Sequence, residues 1–423
     1  MPIDFTLTPD QRALQLSARG FAREVLAEVG PATRGLATPM ERFLATRPMY
    51  EQLIRAGFMR RIIPAPFGGE GTGLLDMAVL AEEFYAVDAN VSLTMFATLL
   101  GLLPVMLGGT PDQHRQFLPP FLETSGAPLA ALCNSEPGGS ANFAAPAPGE
   151  GTRTQARLDG PHWVIDGRKQ WISSATGWEG KGADLLCVVC RTDPQAAPDQ
   201  ALSVLIVSQP MSGIVIEGYH DAIGHRAHLL PRFRFDGLRT PRDHVIGPVG
   251  AAKGIVDASF AGTAALVGVF ATALMRAAFE FALDFAKTQR RGGAQPIIEH
   301  QAVGYALADA KASIEASRCL NWRACHALDM QSPAGLELSL QAKVFGSETA
   351  VRVIADLMRV VGIDSYDHAL PLGCLMQDAL VLPLFDGGNM GVRRRQLHEL
   401  MRAPGYDPLA ASGASNGASA TSA

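Results

Sequence analysis

The period of the hydrophobic pattern changes twice along the chain, and those two changes constrain its fold more than any other feature. From about Thr8 to Leu122 apolar residues recur at helical spacing, as in Leu14, Phe21, Val25 and Leu26, with Asp10 just ahead of the run. Pro64, Pro66 and the turn FGGEGTG interrupt it; Gly69-x-Gly71-x-Gly73 is not a dinucleotide fingerprint and is expected to be a plain loop. From about Ala130 to Ile246 the pattern becomes short β runs, LLCVVCRT, LSVLIVS, GIVIEGY and RFRFDGL, with Asp-Gly turns expected at Asp159–Gly160 and Asp166–Gly167. From about Lys253 to Met401 helical spacing returns. Val344, Val351, Ile354, Met358 and Val361 share one face there, ahead of a stop at Gly362. This order predicts a mainly α protein with a central antiparallel β-sandwich or barrel and a C-terminal helical bundle. The expected units are an N-terminal helical domain over 1–128, a β-domain over 129–246, a bundle over 247–405 and a tail over 406–423. The tail is small, polar and uncharged, so disorder is expected there.

A chain of 423 residues has room for two or three domains and a large core. Its net charge of -5 argues against binding nucleic acid through a broad basic surface. Six scattered cysteines form no framework. Cys187 and Cys190 make a CxxC inside an apolar run without two further ligands nearby, so buried thiols are expected rather than a metal site. A reducing, cytoplasmic location follows as an expectation, since MPIDFTLTPDQRAL lacks the basic start and apolar stretch of a signal peptide. Ala258 to Met275 is uncharged over about 18 residues, the lower edge of a membrane span. It is rich in small residues and runs into RAAFEFALDFAKTQRR, which favours a closely packed central helix in a soluble protein with no membrane partner.

Four polar clusters stand out in apolar surroundings. Asn134-Ser135-Glu136-Pro137-Gly138-Gly139-Ser140 offers hydroxyls and free backbone N–H groups, suited to an anion or a polar ring edge, or to an ordinary turn. Gln170-Trp171-Ile172-Ser173-Ser174 puts an indole beside a hydroxyl, suited to a planar cofactor, or to a core tryptophan next to a turn. Arg290-Arg291-Gly292-Gly293, leading to Ile297 and Gln301, could grip a pyrophosphate or be a solvated charge pair. Asp386 follows seven uncharged residues and precedes two glycines. A carboxylate at the edge of such a run can be desolvated and act as a base. It could equally favour the start of the next helix or open a turn. Among the adjacent Arg393, Arg394 and Arg395, at most one can reach back to it; Arg393 lies about two helical turns on, on a similar face.

In their order along the chain, these segments resemble the acyl-CoA dehydrogenase superfamily of FAD flavoproteins. DFTLTPDQ, PAPFGGEG, SEPGGSAN, GRKQWIS, IGHRAH and QPIIEHQ look like its landmarks, over nearly the whole chain except the tail. SEPGGSANF, KQWISSATGWEGKGADLLCVVCR and PLFDGGNMGVRRRQL are most similar to its nitroalkane oxidase branch. Dehydrogenases that draw their base from this last loop have Glu; here the position is Asp386, a methylene shorter. The resemblance implies an N-terminal helical domain, a β-domain, a four-helix bundle and a homotetramer with FAD partly held across a subunit contact. It also implies Asp386 as catalytic base, Arg393 as its partner and Ser259 as an active-site serine near the base. Ser173 would meet flavin N5 and Trp171 would lie beside the isoalloxazine. Ser135, with Cys133 and Ser140, would border the pyrimidine edge. Arg290 would reach the phosphates of a neighbouring subunit's FAD, and Gln301 and Gly388 complete the cofactor-facing set.

The activity implied is oxidation of a small nitroalkane to an aldehyde or ketone, with molecular oxygen as acceptor and release of nitrite and hydrogen peroxide. Three alternatives stay open: an acyl-CoA dehydrogenase that tolerates Asp and takes an acyl-CoA thioester, a flavin monooxygenase of the same fold, and a scaffold that has lost its flavin.

Overall fold

The computed structural model describes residues 5–410 apart from positions 147 and 198, so the tail expected to be disordered lies, from residue 411 on, outside the described residues. Helix α1 (Pro9–Glu24) starts at a capping box in which Thr8 accepts from the Gln11 amide and Gln11 accepts from the Thr8 amide. Asp10 therefore falls inside the first turn rather than ahead of it. α2 (Val29–Thr33), α3 (Pro39–Arg55), α4 (Phe58–Ile62), α5 (Leu74–Tyr85), α6 (Ala89–Gly108), α7 (Pro111–Phe117) and α8 (Pro119–Leu122) follow. Proline opens α1, α3, α7 and α8, where its missing N–H would have had no helical partner.

Strands β1 (Ala130–Cys133), β2 (Gln155–Asp159), β3 (His162–Gln170), β4 (Leu185–Arg191), β5 (Leu202–Ser208), β6 (Ile214–Tyr219) and β7 (Pro231–Pro241) join in one sheet. The order is β1-β4-β2-β3-β7-β6, with β5 also on β4. Most pairs are antiparallel as expected. β1 runs parallel to β4, because it enters from α8 instead of through a hairpin. Asp159–Gly160 makes the expected turn between β2 and β3. Asp166–Gly167 does not: it lies inside β3, where the register with β7 shifts between Ile165 and Gly167. Gly167 takes φ 149 there, and a Cβ would sit 2.6 Å from the Thr154 backbone, so this glycine makes a bulge rather than a turn. Cys187 and Cys190 are buried in β4, where desolvation pushes the Cys190 thiol up to about 12.

After the sheet come the long helices α9 (Ala252–Thr288), α10 (Gln301–Asp329) and α11 (Gly335–Val361), closed into the four-helix bundle by α12 (Pro371–Leu380) and followed by α13 (Arg394–Arg402). Gly362, at φ 81, ends α11. α6 and α9 are both long and apolar enough to cross a membrane by composition, but 72% of each apolar window is buried inside the fold. They are core helices.

Two charge clusters lock the first helices to the bundle. Glu83 accepts from Arg19 of α1 and Arg276 of α9, and Glu82 accepts from Arg318 of α10. The Asp329 carboxylate at the end of α10 caps the N-terminus of α5 through the Leu74 and Leu75 amides, which links the glycine-rich loop to the bundle.

α9 and α11 approach closely at Gly268 and Gly346, where a Cβ on Gly268 would lie 2.8 Å from the Ala342 carbonyl oxygen. Gly268→Val should therefore destabilise the protein by about 1–3 kcal/mol through overpacking. Thermal denaturation should show a lowered midpoint; an unchanged midpoint would refute this close contact.

Candidate active site

Asp386 sits in the loop after α12 on a left-handed backbone, φ 51, followed by Gly387 at φ 69. A Cβ on Gly387 would come within 2.9 Å of Arg393 Nε, so only glycine lets the guanidinium close over this turn. Residues Asn389–Arg393 then form a wider π-helical turn. It delivers Arg393 back onto the loop it follows. Arg393 Nη2 donates to Asp386 Oδ2 at 3.0 Å, and Nε and Nη2 donate to the Asp386 carbonyl at 2.9 and 2.7 Å. The same Nη2 reaches the Phe260 carbonyl of α9 at 3.1 Å. The side chains of Arg393 and Asp386 are only 1% and 5% exposed.

The other carboxylate oxygen is held by a residue that sequence reasoning missed. Thr263 Oγ1 donates to Asp386 Oδ1 at 2.8 Å. Ser259, expected near the base, lies one helical turn away on the same face of α9, but its hydroxyl donates to the Ile255 carbonyl at 2.8 Å. Ser259 is buried and its proton is committed to its own helix. The hydroxyl bonded to Asp386 belongs to Thr263, one turn on along the same face.

Ser173 stands at the end of a second polar chain. His228 Nε2 lies 2.9 Å from Ser173 Oγ, and His228 Nδ1 lies 3.0 Å from Thr94 Oγ1 of α6. Burial pushes His228 down to about 3, so its ring is neutral and carries one N–H. Thr94 gives its own proton to the Asn90 carbonyl, which assigns that N–H to Nδ1 and leaves Nε2 to accept from Ser173. Neither His228 nor Thr94 was singled out in the sequence.

The β-domain loops pack on the end of the bundle. The His225 amide donates to Asp378 of α12 at 2.5 Å. Arg395 donates to Asn142 and to the Ala141 carbonyl, tying the glycine-rich turn after β1 to α13. Under that turn, buried Lys169 donates to Glu136 at 2.7 Å and to the Asn134 and Val189 carbonyls, while Glu136 accepts from the Arg153 and Thr154 amides.

The residues around Ser173 suit a planar, polar-edged cofactor. Trp171 holds a left-handed backbone at φ 58 and is 49% exposed, while its indole stacks on His220 at 3.5 Å. A large ring backed on one side and open on the other is a stacking platform. Asn134 Oδ1, Ser174 Oγ and Thr176 Oγ1 are buried without partners nearby in sequence to Ser135 and Ser173. Ser135 Oγ and Ser140 Oγ lie 3.2 Å apart at the mouth of their turn. Cys133 is fully buried in β1, at 0% exposure. Gly388 belongs to the Asp386 loop, where its carbonyl accepts from the Val392 and Arg393 amides.

Arg290 and Gln301 are not brought to this place within one chain. Arg290 is exposed and bonds the Ala294 carbonyl, whereas Arg291 is engaged by Asp364; Gln301 bonds Tyr305 on its own helix. These groups lie at the α9–α10 connection.

Removing Arg393 should expose the cost of this burial. Arg393→Met leaves a buried carboxylate without its cation and should destabilise the protein by about 3–5 kcal/mol. Adding Asp386→Leu should recover most of that loss in chemical denaturation. Equal stability of the single and double variants would contradict the pairing.

The family models for the acyl-CoA dehydrogenase N-terminal, middle and C-terminal domains match residues 8–125, 131–238 and 254–401. A nitroalkane oxidase from Podospora anserina is 41% identical, covering 96% of this chain and 98% of the relative. One from Fusarium oxysporum is 38% identical, covering 97% of each. The structure superimposes on an active-site mutant of nitroalkane oxidase crystallized with 1-nitrooctane with a TM-score of 0.94 at 38% identity, covering 97% of this chain and 99% of that one. The chain belongs to the acyl-CoA dehydrogenase family of FAD-dependent oxidoreductases, on its nitroalkane oxidase branch.

Proposed function

We propose that this enzyme oxidises small nitroalkanes, RCH2NO2 + O2 + H2O giving RCHO + HNO2 + H2O2, with Asp386 as the base that starts the reaction. The observation that carries this reading is the Asp386 carboxylate itself, buried, ionically paired with Arg393 and hydrogen-bonded by Thr263. A nitroalkane is acidic at the carbon bearing the nitro group, so a carboxylate held without freedom to rotate is a sufficient base. Arg393 compensates the charge in a dry site, and Thr263 orients one oxygen so that the other face of the carboxylate meets substrate.

Trp171, Ser173, Ser135 and Ser140 would hold the isoalloxazine of FAD, with Arg290 and Gln301 reaching the phosphates and adenine end of a neighbouring subunit's cofactor. When bound, FAD supplies the electron-accepting chemistry that converts the deprotonated substrate to product and passes the electrons to oxygen. The His228–Thr94 chain fixes the place of the Ser173 oxygen beside that ring, with the hydroxyl proton directed to His228 Nε2. This reading includes a homotetramer, in which Arg290 at the α9–α10 connection and Gln301 at the start of α10 would face a neighbouring subunit. The six free cysteines suit a reducing, cytoplasmic setting.

The test is nitrite release in air from the yellow protein given nitroethane. Nitrite should appear in proportion to oxygen consumed. Asp386→Asn should lower turnover of neutral nitroethane by about 100- to 10,000-fold while sparing the pre-formed ethylnitronate anion, which no longer needs a base. Flavin bleaching by an acyl-CoA without nitrite would instead establish the dehydrogenase alternative. Equal loss on both forms of nitroethane would remove Asp386 from the role of base.

A further inference from the structure

Behind the Asp386 loop lies a buried cation that takes no part in the chemistry described above. Lys343 of α11 is fully buried, and its Nζ points into the loop. It lies 3.1 Å from the Gly387 carbonyl oxygen, 3.1 Å from Asn389 Oδ1 and 3.5 Å from the Leu382 carbonyl oxygen. These three neutral acceptors match the three protons of an ammonium. They also bracket Asp386, one before it and two after it. Asn389 extends the brace, donating to Ser347 Oγ at 3.0 Å and to Glu348 Oε1 at 3.2 Å, both on α11.

An ammonium buried among neutral oxygens is costly, and desolvation pushes Lys343 down to about 7. The charged groups acting on it are Asp386, which favours its charge, Arg393, which opposes it, and Glu348, which favours it while paired with Arg394. A methionine of similar length would fill the same space without that cost. What methionine could not do is hold the Gly387 carbonyl and the Asn389 amide together. Those contacts brace the backbone at the left-handed pair Asp386 and Gly387, a conformation that aspartate tolerates better than most residues but that still costs free energy.

We propose that Lys343 is a positioning residue for Asp386: its ammonium ties both ends of the 382–389 loop to α11 and so fixes where the carboxylate is presented. The inference rests on the reading of Asp386 as base, and its defining effect is on geometry rather than on substrate affinity. Arg393 and Thr263 hold the carboxylate; Lys343 holds the turn that carries it.

The experiment compares Lys343→Met holoenzyme with the wild type at about pH 6, where Lys343 keeps its proton. Hydrogen exchange of the peptide spanning residues 382–389 and steady-state kinetics are read together. The expected result is faster exchange confined to that segment and a kcat for neutral nitroethane lower by about 100-fold. KM should change little, and turnover of ethylnitronate should stay within about twofold of wild type. Unchanged exchange together with unchanged kcat would overturn the proposal, as would equal loss on both substrate forms. Should Lys343→Met not accumulate as holoenzyme, Asn389→Ala removes one Nζ acceptor and makes the same comparison, with the same outcomes deciding. If the wild type releases no nitrite, the proposed activity fails, and the exchange comparison alone still decides whether Lys343 holds the loop.

Discussion

A carboxylate buried to 5% exposure must be neutralised and hydrogen-bonded, and much of the surrounding architecture follows from meeting that demand at Asp386. Arg393 has to turn back onto the loop just before it, and it does so from the wider turn at Asn389–Arg393. Gly387 has to lack a side chain for the guanidinium to approach. Thr263 has to stand at the level of the loop on α9, which sets how α9 and α12 pack. Buried ion pairs add little net stability. This one is better understood as a device for geometry, and the helices around it supply the stability through their apolar faces.

The β-domain reaches the same place by polar contacts of its own. Lys169 and Glu136 support the turn at Ser135–Ser140 from beneath, and Arg395 ties that turn to α13. His228 couples Ser173 to Thr94 of α6. Side-chain contacts thus tie the β-domain both to the N-terminal helices and to the C-terminal bundle. Two buried lysines stand in comparable places, Lys169 under the Ser135–Ser140 turn and Lys343 under the Asp386 loop. In each case one buried ammonium gathers three oxygens from separate positions of the chain.

How far the site was legible depended on whether a residue's role shows in its neighbours along the chain. Asp386 was visible because a carboxylate after seven uncharged residues is anomalous. Trp171 and Ser173 were visible because an indole and hydroxyls close a strand. Thr263 was not: α9 carries Ser259 and Thr263 one turn apart on one face, and only the loop packed against them shows that Ser259 spends its proton on Ile255. Lys343 and His228 were hidden for a related reason. A lysine in an amphipathic helix looks solvated, and a histidine in a turn looks like any other, until a partner distant in sequence buries it. Asp166–Gly167 was misread because a turn and a bulge use the same residues; the close approach of Thr154 decides between them.

The sequence by itself determined the succession of helices, strands and bundle, because hydrophobic period is a local property of the chain. It also determined the end of α11 at Gly362. The tertiary structure alone decided which hydroxyl meets Asp386, which arginine at the α9–α10 connection is left exposed, and which lysines are buried. Those outcomes depend on contacts between different elements, from 20 to 123 positions apart, where the choice of partner is set by the packing of whole elements rather than by the spacing of residues within any one of them.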